Sequence, residues 1–152
     1  MTSANLSQAF NKHYSRDQLF GDINRLRSAW KEYRRTPSRS AIFKFLQTVL
    51  ELVTIWKADG QVETRTRRAM AEGKCPHIGP MEPFGFLVRL AAHPKTIDRR
   101  TVAKWSRVLR YAERFKLPGR SMRRFVKKRG GINECASRFT KINKKKQNRS
   151  LL

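Results

Sequence analysis

The chain has 152 residues, 39% of them hydrophobic, and carries 35 Lys and Arg against 11 Asp and Glu for a formal net charge of +24. That length fits one domain or two very small ones, with enough apolar residues to bury a core. Self-repulsion of this size opposes compaction, so the charge points to a polyanionic partner, nucleic acid first and an anionic membrane surface second, and two cysteines exclude a disulfide framework.

The opening MTSANLSQAF has no basic segment followed by an apolar run, so no signal peptide is expected. The longest apolar segment, 41–56, is interrupted by Lys44, Gln47 and Glu51 and falls short of the roughly 18 uninterrupted apolar residues of a membrane span. A cytoplasmic, nucleoid-associated location is the resulting expectation.

Residues 1–15 read as a polar lead-in. In 16–35, Leu19, Ile23, Leu26, Trp30 and Tyr33 recur at spacings of 4, 3, 4 and 3, which places them on one stripe of a helix. That stripe is a candidate homodimer seam. Pro37 stops this helix, and Ser38 or Ser40 can cap the next. Residues 41–57 predict a helix apolar around most of its circumference, from Ile42 to Trp56. With the preceding helix it makes an antiparallel helical hairpin over 16–60. Residues 61–95 read as an irregular connector: a weakly helical basic stretch (62–74), a proline-rich loop (75–83) and a short helix (84–93) ended by Pro94.

The clearest C-terminal helix covers 96–115, with Thr96 or Asp98 as its cap. Val102, Trp105, Val108, Leu109, Ala112 and Phe115 form its apolar face, and Arg99, Arg100, Lys104, Arg107, Arg110 and Arg114 occupy most of the remainder. After the turn KLPGR, residues 121–129 predict a short helix, Gly130 and Gly131 a turn, and 133–141 a second helix with Asn133 as cap. Residues 142–152 read as a disordered basic tail. The fold class is therefore mainly α: an N-terminal antiparallel hairpin, then a three-helix unit over 96–141 resembling a helix-turn-helix, then the tail.

The charge is concentrated at that end. Residues 97–152 hold 19 Lys and Arg against 3 acids, whereas residues 1–60 hold 10 against 5. In the stretch MRRFVKKRGGINECASRF (122–139), Val126 and Gly130 stand four apart, and Ile132, Ala136 and Phe139 give a second apolar face, the pattern of a helix-turn-helix. Arg123 and Arg124 fall in the first turn of the helix starting near Ser121, where the macrodipole disfavours cations by roughly a few tenths of a kcal/mol. A sequence tuned for stability alone would place acids there. Arg99, Arg107, Arg110, Arg123, Arg124, Lys127, Lys128, Arg138 and Lys141 are accordingly the candidate nucleic-acid contacts.

Other chemistries find less support. Cys75 and His77, with His93 or Cys135, lack the paired short spacings of structural zinc. The acids after residue 60 form no metal-binding set for phosphodiester chemistry, and no nucleophile or phosphate-loop motif is present. Neither an enzymatic activity nor a cofactor is expected. Trp30, Trp56 and Trp105 each lie on an apolar helix face and read as core rather than as base-stacking platforms.

TVAKWSRVLRYAERFKLPG followed by GGINECASRF resembles a motif of uncharacterised basic proteins of alphaproteobacterial plasmids and symbiosis regions, over residues 96–139. The resemblance implies a bacterial protein carried on a mobile element and brings no activity or site residues with it. The leading functional expectation is a DNA-binding protein that works mainly through phosphate contacts. The alternatives are an RNA-binding or RNA-chaperone module, for which the sequence lacks the usual stacking or GxxG motifs, and a helical interaction protein for an acidic partner.

Overall fold

The computed structural model describes residues 14–36, 38–75, 82–93 and 96–150. Among them the chain forms helices and no strands: α1 (Arg16–Arg35), α2 (Arg39–Ala58), α3 (Val62–Glu72), α4 (Pro83–Ala92), α5 (Arg99–Phe115), α6 (Met122–Lys128) and α7 (Ile132–Ser150). Pro37, Pro94, His77 and most of the proline-rich loop lie outside the described residues.

Short polar side chains start most of these helices. Ser15 and Gln18 form a capping box on α1, with Ser15 Oγ accepting from the Gln18 amide and Gln18 Oε1 from the Ser15 amide. Ser38 caps α2 and Asp98 caps α5 through the Thr101 amide at 2.7 Å. Those hydrogen bonds, from the Thr101 backbone first, hold the Asp98 carboxyl below the usual carboxylate range. The α6–α7 turn closes α6 by a Schellman pair: Gly131 N–H to Val126 O and Gly130 N–H to Lys127 O. Gly130 and Gly131 have φ of 99° and 105°, a conformation that favours glycine at both positions.

One apolar cluster includes buried residues of every helix. The α1 stripe is consumed inside the chain. Leu19, Ile23, Leu26 and Trp30 are buried and Tyr33 is half-buried against the same cluster, so this surface is an intramolecular seam rather than a homodimer face. Its partners are α2 and α4, with Trp105 of α5 at one end. Trp30 packs on Phe45 at 5.2 Å and on Trp105 at 6.0 Å between ring centroids, and Tyr33 meets Trp105 edge-on. The α1–α2 contacts pair Asp22 with Trp56, Arg25 with Glu51 and Glu32 with Lys44, so residue numbers rise along one helix as they fall along the other. All three tryptophans are buried.

Residues 61–95, expected as a connector, supply the most enclosed helix. In α4, Phe84 to Val88 and Leu90 to Ala92 are all buried, and the helix packs on α1, α2, α3 and α5. Glu82 fastens its start, accepting from the Phe84 amide (3.1 Å), the Gly85 amide (2.6 Å) and Ser106 Oγ on α5 (2.7 Å). A Cβ at Gly85 would lie 2.7 Å from Glu82 Oε2, so this close approach needs glycine.

The C-terminal end departs from expectation in two ways. Helix α7 begins at Ile132, which puts Asn133 within its first turn rather than at the cap. It then continues to Ser150, so the expected disordered tail is helical through residue 150. Lys, Arg, Gln and Asn offer no apolar stripe there, but Lys, Arg and Gln are good helix formers and α7 is already nucleated on α5.

Candidate nucleic-acid interface

Helix α6 is held by its apolar face and by two polar anchors. Met122, Phe125 and Val126 are buried, and α6 packs mainly on α2. The Met122 amide donates to Gln47 Oε1 at 3.1 Å, Gln47 Nε2 donates to Glu51 Oε1 at 3.1 Å, and Glu51 receives Arg25 from α1. At the other end, Arg129 donates to Tyr111 Oη at 2.8 Å. Its guanidinium lies 4.9, 5.6 and 5.8 Å from the rings of Phe125, Tyr111 and Phe115. Arg129 is thus a fastener between α6 and α5.

What remains outward on α6 is Arg123, Arg124, Lys127 and Lys128, all exposed and none paired with a carboxylate among the described residues. Arg123 and Arg124 sit in its first turn with no acid among them, Ser121 Oγ capping the Arg124 amide.

The other candidate residues divide into two groups. Lys141 is exposed on α7 and meets no carboxylate among the described residues. It belongs to an exposed stripe of Asn133, Ser137, Lys141, Lys144 and Asn148, at spacings of 4, 4, 3 and 4. Arg138 is exposed but engaged: the Tyr111 hydroxyl and then the Glu134 carboxylate, at 3.2 Å, hold its guanidinium above the usual arginine range. Arg110 is half-buried with its guanidinium 4.6 Å from the Phe139 ring, tying α5 to α7. Arg107 is also half-buried, and its Nε is enclosed without a hydrogen-bond partner. Arg99 is exposed at the start of α5, about 24 Å along the helix axis from Phe115 at the end that leads into α6. The structure therefore groups Arg123, Arg124, Lys127 and Lys128, turns Arg110 and Arg138 toward structural contacts, and leaves Arg99 remote.

Two cations near α6 were absent from the sequence-derived set. One is Arg129, the fastener. The other is Arg120, which shares a concavity with Arg124 and Lys128. Its i, i+4, i+8 relation to those residues was the available signal, hidden by its position in a turn.

A larger open groove of about 1380 Å³ lies between α1, α2 and the 116–123 segment. Its walls carry both signs of charge, and Glu51 and Glu32 are already paired with Arg25 and Lys44. Ile55, expected in the core, borders it and is 50% exposed. Among the described residues no three His, Cys, Asp or Glu side chains converge as metal ligands. Cys75 and Cys135 are free thiols, both pushed up by burial. No described helix is long and apolar enough to cross a membrane.

Comparisons with protein-family models, with curated proteins and with solved structures find no match.

Proposed function

We propose that this protein binds duplex nucleic acid, DNA in preference to RNA, mainly through phosphate contacts made by α6 and the exposed stripe of α7. One observation carries this reading. Residues 114–150 hold fourteen Lys and Arg against a single acid, Glu134, and the four cations facing outward on α6 meet no carboxylate among the described residues. Unpaired cations held on a rigid scaffold are what phosphate contacts require, and such contacts fix position without reading sequence. In this reading α6, the two-glycine turn and α7 act as a helix-turn-helix-like unit on α5. Asn133, Ser137, Lys141 and Lys144 provide donors along the stripe that faces the groove. On the resemblance of residues 96–139, the chain is a bacterial protein carried on a plasmid or other mobile element.

The test is the salt dependence of binding to a duplex oligonucleotide. With about six to ten phosphates engaged, affinity falls by roughly a thousandfold or more between 50 and 200 mM salt. Changing Arg123, Arg124, Lys127 and Lys128 together to Gln flattens the slope of log K against log salt by about three to four. A slope near zero, or one that the fourfold change leaves intact, rejects the assignment. Competition between duplex DNA and structured RNA separates the two nucleic acids, and stronger retention of RNA would reassign the ligand.

A further inference from the structure

Three of the exposed cations around α6 share one hollow. Arg120, Arg124 and Lys128, with Phe125 between them, line a concavity of about 280 Å³. Phe125 is 5% exposed and packed on Tyr111, so this lining residue is fixed in place. The backbone beneath the first two cations is fixed as well. Gly119 takes φ +83°, Lys116 Nζ donates to Arg120 O at 2.6 Å and to Leu117 O at 3.3 Å, and the Arg120 amide returns to Leu117 O. The Arg124 amide is capped by Ser121 Oγ.

None of the three side-chain cations meets a hydrogen-bond acceptor, a carboxylate or a ring among the described residues, and no acid occurs in the sequence between Glu113 and Glu134. Two guanidinium forks and an ammonium around one hollow present many donors and no acceptor. A phosphate group is the complementary ligand, because its oxygens are all acceptors and match the guanidinium fork in bidentate fashion.

We propose that Arg120, Arg124 and Lys128 form a phosphate-binding subsite that encloses a single phosphate group, distinct from the one-sided contacts of Arg123 and Lys127. The subsite stands by itself for inorganic phosphate; only the source of its phosphate in a complex rests on the nucleic-acid reading. Two sources share the chemistry, an internal phosphodiester of the duplex and a terminal phosphomonoester.

Inorganic phosphate titrated into the full chain, followed by NMR at the arginine Nε–Hε and backbone amide signals, tests the subsite. Saturable shifts confined to about residues 119–129 are expected. Arg120→Gln and Arg124→Gln each weaken this binding about tenfold, Lys128→Gln weakens it in the same direction, and Lys31→Gln on α1 leaves it unchanged. All these side chains are exposed, and an unchanged amide spectrum elsewhere verifies the fold of each variant. Unsaturated shifts spread over every cationic segment, or an Arg120→Gln protein that binds phosphate like the parent, overturn the proposal.

Blunt duplexes with and without a 5′-phosphate then identify the source. Loss of the phosphate response with both assigns an internal phosphodiester, and loss with the phosphorylated duplex alone assigns a terminal one. Saturable phosphate binding without any duplex binding removes the nucleic-acid reading and keeps the subsite. Salt-dependent duplex binding without a saturable phosphate response does the reverse.

Discussion

In α1–α4 the cations that meet acids do so across elements: Arg16 with Glu72, Arg25 with Glu51, Lys44 with Glu32, and the buried Arg65 with Asp59 at 2.6 Å. In α6 and α7 the one ion pair, Arg138 with Glu134, lies within a single helix. Apart from Lys57 with Glu113 between α2 and α5, the contacts that fasten α5 to its C-terminal neighbours are arginines on aromatic rings, Arg129 on Tyr111 and Arg110 on Phe139. The difference separates two uses of positive charge. Where acids answer the cations, the charge is spent joining helices; where rings alone hold the arginines, the neighbouring cations remain available to an outside anion.

The largest effect is expected where the two ends meet. Leu87 is fully buried in α4, which packs against both α1 and α5. Leu87→Ala is expected to cost about 2–5 kcal/mol in denaturant unfolding, as one cooperative transition. Two transitions, only one of them shifted, would show that the ends fold separately.

Asp59→Asn comes next. It leaves the Arg65 guanidinium, 3% exposed and stacked 3.8 Å from the Tyr14 ring, without its carboxylate. A loss of about 2–3 kcal/mol follows from stranding a buried charge. An unchanged unfolding midpoint would mean that the ring contact suffices. The same neighbourhood shifts Tyr14, whose phenol is pushed up by burial and by its hydrogen bond to Asp22.

A smaller effect is expected from Gln47→Leu, which removes the acceptor for the Met122 amide. About 1–2 kcal/mol is lost, and amide exchange rises in α6 while α1 and α3 stay protected. Uniform exchange changes would show that Gln47 does not set the placement of α6 in particular.

The smallest effect concerns Asp98. Its carboxyl titrates below the usual range in the folded chain because it accepts from Thr101. Its contribution to stability is therefore complete above the ordinary carboxylate pKa and is lost as pH falls through the lowered folded value. Asp98→Ala should flatten that part of the stability–pH curve. A curve of unchanged slope would remove the cap from the account of α5.

Much of the helical pattern was legible in the sequence where apolar residues recur on one side. The α1 stripe and the α5 face were both readable by period, and Ser38 and Asp98 by their position ahead of an apolar run. Periodicity cannot say whose surface a stripe meets, so Leu19 to Tyr33 read equally well as a dimer seam and as the intramolecular seam it is. Helix α4 was read as a short helix over 84–93, but its central place was not, because Phe84 to Ala92 is apolar apart from Arg89 and offers almost no polar face to mark its orientation. At the interface, the outward cations of α6 were readable as a cluster. That Arg110 and Arg138 are engaged depends on Phe139 and Tyr111 arriving from another helix, which no local spacing reveals.

The last turns of α7 have a consequence of their own. Residues 144–150 are all exposed, while Lys141, Lys145 and Arg149 follow one another at four-residue intervals. Like charges at that spacing weaken a helix, and a helix end without tertiary support is marginal in water. This arm therefore behaves as a gauge of its ionic surroundings. Its helicity rises as salt or a polyanion screens the three cations, and far-ultraviolet ellipticity reads the change while the core stays as it was.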